Sequence, residues 1–435
     1  MLSLFQNTGT LDQVAQKLSA SPVPLQLVLP SGQVIGPPQA QLRLKINDSP
    51  TLLSLVQGNL GALGEAFVEG RAQFSGKVQD LMVAAVALLT GDPTQAAPYE
   101  KGLLKTLARW QSHWHSLKAH TLSRDAQQIQ FHYDLSDDFF ALWLDPKRVY
   151  SCAYFTQPGE TLAHAQEAKL DLICRKLHLQ KGERFLDVGC GWGGLLFWAA
   201  EHYGVEAVGI TLSQHQFDYV SQQISQLGLQ DRVSVKLIDY RALAQDLEPS
   251  QHFDKISSVG MFEHVGRAHL SAYFKTLHAL LRPGGWVLNH GITAGGLDNH
   301  QLGAGMGDFI EKYIFPGGEL VPIQEVLRAL AEGGLEAVDV ENLRPHYAKT
   351  LWAWSERLEE QLEPALKVLN ARMTAAQATR VLRAYRLYLA GCATGFEQGW
   401  TRLYQVLAIR PDGAAPHPTN EYPFVRTFIY ETESV

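Results

Sequence analysis

The run Leu186-Asp187-Val188-Gly189-Cys190-Gly191-Trp192-Gly193-Gly194 lies between an apolar strand, Arg184 to Val188, and a helical stretch, Leu195 to Tyr203. It restricts what this chain can fold into more than any other segment. A strand that ends in closely spaced glycines and passes into a helix belongs to a parallel α/β sheet, whose ligands sit at the carboxyl ends of the strands. Gly189 and Gly191 let backbone approach a ligand closely, and Asp187 can accept hydrogen bonds from a ribose or an amino-acid ammonium group. The spacing suits an adenosyl cofactor and is compatible with a nicotinamide one. The next strand ends in Gly209-Ile210-Thr211-Leu212-Ser213 instead of an acidic residue, which weakens the dinucleotide reading. Thr211, Ser213 and Gln216 offer neutral polar groups for the same task, and Ser213 also suits a helix N-cap.

From about Thr161 strands and helices alternate as in a doubly wound, Rossmann-like α/β domain. After the glycine turn come a strand Val205 to Thr211, a helix Ser213 to Leu227, and strands Val233 to Ile238 and Lys255 to Val259. A helix His269 to Leu281, the Pro283-Gly284-Gly285 turn and a strand Trp286 to Ile292 continue the pattern. Residues 296 to 322 read as an insertion or lid, followed by helical stretches Tyr347 to Asn370 and Ala375 to Trp400 and a last strand, Leu403 to Ile409. Residues 1 to 92 mix short apolar strands, turn signals and helical stretches, which predicts a smaller α+β module. Residues 93 to 125 set Lys101, Lys105 and Arg109 at helical spacing beside Trp110, Trp114 and Leu117. Such a helix suits a membrane surface, and equally a linker with a solvated cationic face. The expected organisation is a module over 1–92, a linker over 93–125, a catalytic domain over 126–410 and a tail over 411–435.

A chain of 435 residues with 46% hydrophobic content can bury a full core, and a formal charge of -7 argues against general nucleic-acid binding. No run approaches about eighteen apolar residues, and Met-Leu-Ser-Leu-Phe-Gln at the N-terminus lacks a basic region followed by an apolar one. The expectation is a cytoplasmic chain. Cys152, Cys174, Cys190 and Cys392 have neither metal-ligand nor disulfide spacing and read as free thiols, with no metal site.

Downstream, Val259-Gly260-Met261-Phe262-Glu263-His264-Val265-Gly266 sets a carboxylate and an imidazole at the far end of a strand facing the same crevice. Glu263 stands in an apolar run where an unpaired carboxylate is costly, which marks it as functional. His290, in Trp286-Val287-Leu288-Asn289-His290-Gly291-Ile292-Thr293, also fits a core position by alternation. Tyr347 follows Arg344-Pro345-His346 at what also reads as an ordinary helix start, and Cys392 falls in an apolar helix where a free cysteine usually packs.

Seven segments together resemble the cyclopropane-fatty-acyl-phospholipid synthases and the related mycolic acid cyclopropane synthases, which depend on S-adenosylmethionine. They are His132-Tyr133-Asp134-Leu135, Tyr150-Ser151-Cys152-Ala153-Tyr154-Phe155, Leu186 to Leu195, Asp239-Tyr240-Arg241, Val259 to Gly266, Lys312-Tyr313-Ile314-Phe315-Pro316 and Tyr388-Leu389-Ala390-Gly391-Cys392. The resemblance implies a class I methyltransferase fold and methylene transfer to the cis double bond of an unsaturated acyl chain on a membrane phospholipid. Attack of the alkene on the sulfonium methyl leaves a carbocation, and loss of a proton from the new methyl closes the ring. A bound bicarbonate would take that proton.

The resemblance assigns bicarbonate to Cys152 and Ile292 through their backbone N–H groups, and to the side chains of Glu263, His290 and Tyr347. Donors then surround the anion, while Glu263 accepts its hydroxyl proton and orients the base. S-adenosylmethionine is assigned to Tyr133, Tyr150, Ser151, Asp187, Gly189, Cys190, Gly191, Gly193, Gly194, Thr211, Leu212, Ser213, Gln216, Asp239, Tyr240 and Arg241. Tyr240 would stack on adenine, with His132 and Tyr133 closing the pocket near the sulfonium. Cys392 matches a position described as an active-site cysteine, although this reaction needs no enzyme nucleophile. Implied partners are unsaturated phospholipids at the inner leaflet, with peripheral attachment, and a homodimer is compatible with the family. His290-Gly291-Ile292-Thr293 departs from the His-Thr/Ser-Ile-Gly of many cyclopropane synthases. That leaves open a lipid C-methyltransferase giving methylene- or methyl-branched chains. A silent lipid-binding protein of the same fold is a third reading, against which the intact Glu263, His290 and Tyr347 argue.

Overall fold

The computed structural model describes residues 21–89, 92–94, 135–245, 248, 251–296, 302–315, 319–413 and 422–430. The basic, Trp-bearing stretch from Lys101 to Leu117, together with His132 and Tyr133, lies outside the described residues.

The first strands make a small sheet in the order β2-β1-β3-β4, from β1 (Leu25–Val28), β2 (Val34–Ile35), β3 (Leu42–Ile46) and β4 (Ala72–Ser75). Between β3 and β4 run α1 (Ser49–Gln57) and α2 (Leu60–Val68), whose free N–H groups are capped by the side chains of Asp48 and Asn59. α3 (Val78–Leu88) follows β4. Leu27, Leu42, Ile46, Leu52, Leu55 and Ala84 close the core of this N-terminal module.

After α4 (Asp137–Ala141) and α5 (Leu162–Lys176) the chain enters the large sheet. It runs through β5 (Arg184–Val188), α6 (Gly194–Tyr203), β6 (Glu206–Thr211), α7 (Gln214–Leu227), β7 (Val233–Leu237), α8 (Tyr240–Gln245), β8 (Phe253–Val259), α9 (Leu270–Leu280) and β9 (Leu281–Ala294). Then come α10 (Met306–Tyr313), α11 (Ile323–Glu332), β10 (Glu336–Asn342), α12 (Arg344–Glu360), α13 (Leu362–Asn370), α14 (Ala375–Glu397), β11 (Thr401–Ile409) and α15 (Thr427–Tyr430). The strand order is β10-β11-β9-β8-β5-β6-β7, parallel from β9 to β7, with β11 antiparallel to both of its neighbours. This is the doubly wound α/β fold. Its strand sequence reverses between β5 and β8, and a crevice opens there above the strand ends.

Three local expectations are corrected. The Pro283-Gly284-Gly285 segment lies inside β9 as a bulge, with the pairing to β8 shifting between Phe253 and Lys255 and Gly284 at φ +73°. The stretch from Tyr347 to Asn370 is two helices that break at Gln361, because the ring of Pro364 would meet the Glu360 carbonyl in a continuous helix. β10 was not foreseen: Glu336, Asp339 and Glu341 hide its apolar signal, and charge of this kind guards an edge strand.

The small module is seated on the large one through backbone contact. Gly61 N donates to the Ala304 carbonyl at 3.0 Å, and a Cβ on Gly61 would lie 1.9 Å from the Gly305 carbonyl oxygen. Lys312 pairs with Glu65 at 2.9 Å, and α2 and α3 pack against α10 and α14. Among the described residues no helix is long and apolar enough to cross a membrane.

Candidate active site

At the β5/β8 switch point a cleft of about 150 Å³ is lined by Tyr150, Ser151, Asp187, Gly189, Cys190, Gly191, Gly194, Thr211, Leu212, Gln216, Asp239, Tyr240 and Arg241. The turn works as its glycines imply: Gly189 and Gly191 have φ of +79° and +55°, and a Cβ on Gly191 would meet nothing within 4 Å. Two expected residues stand behind this wall. Ser213 accepts from Gln216 N as the N-cap of α7, and Gly193, at φ +82°, shapes the turn against Phe197. Thr211 donates to Gln216 Oε1 at 2.8 Å, and Arg241 holds both oxygens of Asp239 at 2.8 Å. Tyr240 is fixed edge-on against Tyr273.

Two buried opposite charges line the cleft. Asp187 accepts from Ser257 Oγ at 2.6 Å, and burial lifts its carboxyl to about 6. Lys169 donates to Ser151 Oγ at 2.8 Å, and burial lowers its ammonium to about 8. Among the described residues neither has an ion-pair partner within 4 Å, so their charges suit the zwitterionic amino-acid end of S-adenosylmethionine. Lys169 and Ser257 were missed in the sequence. The signal for Lys169 was a charge on the buried stripe of α5, flanked by Ala165, Leu172 and Ile173.

Beyond β8, a short 3-10 turn, Phe262–His264, carries Glu263 back to β9. Glu263 Oε1 accepts the Ile292 N–H at 2.7 Å, whereas Oε2 is buried with no partner. Burial raises this carboxyl to about 7. His290 on β9 is 1% exposed, and Gln405, its cross-strand partner on β11, lies 3.2 Å from Nδ1 through its amide nitrogen. A Gln405 amide that donates to Nδ1 puts the ring proton on Nε2, which is also buried without a partner, and burial keeps the imidazole neutral well below the usual range. Gln405 is a neighbour of His290 that sequence reading missed, although a polar residue in the apolar run Leu403 to Ile409 was its signal.

Leu343 ties the remaining expected residues to this pair. Its N–H donates to Leu403 O, and Leu403 is the cross-strand partner of Ile292. Its carbonyl accepts from Tyr347 N at 3.0 Å and lies 3.9 Å from Cys152 Sγ. These contacts thus link five separated segments, although Cys152, Glu263, His290, Ile292 and Tyr347 line neither the cleft nor the apolar chamber beside α10 and α14. One detail differs from expectation: the Ile292 N–H is engaged by Glu263. Burial pushes the Cys152 thiol upward and Cys392 up to about 12, so neither is a thiolate nucleophile near neutral pH. All four cysteines are free, and no cluster of three or more His, Cys, Asp or Glu suits a metal among the described residues.

A second, apolar chamber of about 200 Å³ lies between the N-terminal module and α10 and α14. Tyr388 and Cys392 are in its wall. Tyr388 shares a 3.3 Å hydroxyl contact with Tyr150 of the cleft, and Phe315 packs between Tyr388 and His264.

The sequence profile of mycolic acid cyclopropane synthetase matches residues 120–406. A "probable fatty acid methyltransferase" of Pseudomonas putida is 41% identical over 97% of this chain and 100% of its own. "Cyclopropane mycolic acid synthase 1" of Mycobacterium tuberculosis is 41% identical over 64% of this chain and 94% of its own. The crystal structure of a mycolic acid cyclopropane synthase complexed with SAH and CTAB is similar at TM-score 0.59 and 37% identity, covering 65% of this chain and 98% of that one. Fold, cleft and relatives agree, and the chain belongs to the mycolic acid cyclopropane synthetase family, S-adenosylmethionine-dependent enzymes of lipid methylene or methyl transfer.

Proposed function

We propose that this protein transfers a methylene group from S-adenosylmethionine to the cis double bond of an unsaturated acyl chain in a membrane phospholipid, giving a cyclopropane fatty acid. One observation carries the reading: Glu263 Oε2 and His290 Nε2 are buried polar atoms without partners. Such atoms are rare in proteins because each forfeits its hydration. A buried acceptor and a buried donor left open on neighbouring segments are the groups that a small oxyanion with a hydroxyl group would use, and bicarbonate is that kind of ion. S-adenosylmethionine supplies an electrophilic methyl group, and bicarbonate a weak base that does not capture a cation irreversibly.

The chain's own residues do the rest. His290, kept neutral and with its proton on Nε2, donates to the anion without adding a full charge. The Ile292 N–H anchors Glu263, and through it the hydroxyl of the base. Tyr347 and the backbone of Cys152 close the site from the other side of Leu343. Apolar walls exclude water from the developing cation. The lipid substrate would bring the protein to the inner leaflet as a peripheral protein.

A second reading has its own support. A Cβ at Gly291 would lie 2.0 Å from Cε1 of Phe262, so an aromatic ring stands where many cyclopropane synthases have a Thr or Ser side chain. A differently shaped wall beside the base favours a different proton loss, and with it a methylene- or methyl-branched acyl chain. The test is incubation of purified protein with S-adenosylmethionine and monounsaturated phospholipid vesicles, followed by proton NMR of the released fatty acid esters. Upfield cyclopropyl protons support the first reading. Vinylidene signals or a methyl doublet replace it by the second, and no lipid product removes both.

A further inference from the structure

We propose that the chamber between the N-terminal module and the catalytic domain holds one arm of the acyl chain, and that Gly391 and α3 together set how many carbons fit on that side of the double bond. The inference rests on the lipid reading above and adds the part of the protein that measures the lipid.

The first support is the lining. Phe67, Phe74 and Met82 face Leu387, Ile310 and Phe309 across the chamber, a surface with little to offer except to hydrocarbon. Protein interiors pack densely and leave few voids larger than a water molecule, so a space of this size beside a reaction centre is built for an occupant. The second support is Gly391. It lies in the interior of the 23-residue α14, where glycine is less stable than alanine. No protein atom explains it, because a Cβ there would meet nothing within 4 Å. At Gly61, by contrast, backbone of the facing loop forbids a side chain. Gly391 keeps a surface of the chamber open.

Continuity is the third support. Tyr388 belongs to the chamber wall, and its hydroxyl contact to Tyr150 joins that wall to the cofactor cleft. A chain lying in the chamber therefore runs up to the place where the cofactor's methyl group would be presented. The module side of the chamber lies outside the family profile and is shared with the full-length relative. The family profile begins at residue 120, whereas Phe67, Phe74 and Met82 precede it. The mycobacterial relative matches 64% of this chain, whereas the Pseudomonas putida relative matches 97%.

The test fills the chamber from either side with Gly391→Leu and Ala85→Leu, with Gly391→Ala as the helix-compatible variant that fills it least. Substrates are phosphatidylglycerol vesicles in two matched monounsaturated series, one lengthened before the double bond and one after it. Both Leu variants are expected to lower kcat/KM for the longer members of one series by at least about tenfold relative to the shorter, since a single methylene in an apolar pocket discriminates by about that much. They are also expected to weaken binding of the fluorescent probe cis-parinaric acid, while SAH affinity, which reports an intact fold, stays as in the wild type. Gly391→Ala, which adds one methyl to the same wall, is expected to shift length dependence in the same direction as Gly391→Leu and by less. Unchanged length dependence and probe binding in both Leu variants would overturn the proposal, and an effect of Gly391→Leu alone would overturn the role of the module. If the wild type converts no lipid, the proposed reaction fails, and probe binding still decides whether the chamber takes an acyl chain.

Discussion

Glu263→Gln separates the chemistry of one carboxyl from what it costs the fold. Burial raises Glu263 from 4.5 to about 7, because Oε2 has no partner and the backbone N–H groups of Ile292 and of Glu263 itself offset only part of the lost hydration. In the unfolded chain the group ionises near its ordinary value. Between there and about pH 7 the folded protein keeps a proton that the unfolded chain has released, so this group's contribution to stability is full at low pH and falls as pH rises through that window. The shift is worth about 3 kcal/mol by pH 8, at about 1.4 kcal/mol per pH unit. Glutamine keeps the acceptor for Ile292, never ionises, and sets an amide N–H where the protonated carboxyl would stand. The variant is therefore expected to be more stable than the wild type at pH 8 by about 3 kcal/mol. With unfolding entropy of about 2.1 cal/mol/K per residue over 435 residues, that is roughly 3 °C in Tm. Below about pH 4.5 the difference disappears. Turnover is expected to fall by about 10² to 10⁴, the usual worth of a positioned acid–base group, with SAH affinity held. Calorimetry at pH 5 and pH 8 beside the NMR product assay reads both effects. A variant that melts lower than wild type at pH 8 refutes the electrostatic reasoning, and a fully active one refutes the role in orienting the base.

Gln405→Leu removes the donor that holds His290 Nδ1, so turnover is expected to drop by about tenfold or more, with ¹⁵N NMR of His290 showing mixed tautomers where the wild type shows the Nε2–H form. Gly291→Thr drives a methyl-sized group into Phe262 and is expected to destabilise by about 1–3 kcal/mol in urea unfolding, with Phe262→Ala on the same chain restoring much of the loss. Ser257→Ala deletes the 2.6 Å bond that favours ionised Asp187; its carboxyl, already at about 6, should rise further. SAH binding by calorimetry is then expected to weaken by about tenfold near pH 6.5 and less at pH 8.5.

The large sheet was legible because its cues are local. A glycine turn after Val188, strands a few residues long and helices with one apolar stripe each announce themselves within a short window. Asp187, Glu263 and His290 could be singled out for the same reason, since each is a polar residue in an apolar stretch. Gln405 and Lys169 satisfy that criterion too, but their meaning depends on a partner, His290 in one case and Ser151 in the other, that is remote in sequence. The break at Gln361 needed attention to Pro364, three positions beyond, rather than to the periodicity that continues across it. The apolar chamber was invisible altogether. Its walls come from residues 44–88, 302–310 and 387–401, each of which reads by itself as ordinary core.

The contact between Gly61 and the Gly303–Gly305 turn fixes more than the seating of one helix. Where two main chains touch with no side chain between them, there is no flexible atom to absorb a change in spacing. The gap that α2 and α3 span above α14 is thus a rigid gauge and not a jaw. A protein built this way selects among long, flexible molecules by what its walls leave unfilled. A change in preference has to come from trading atoms on those walls, one residue at a time, rather than from opening or closing the space between them.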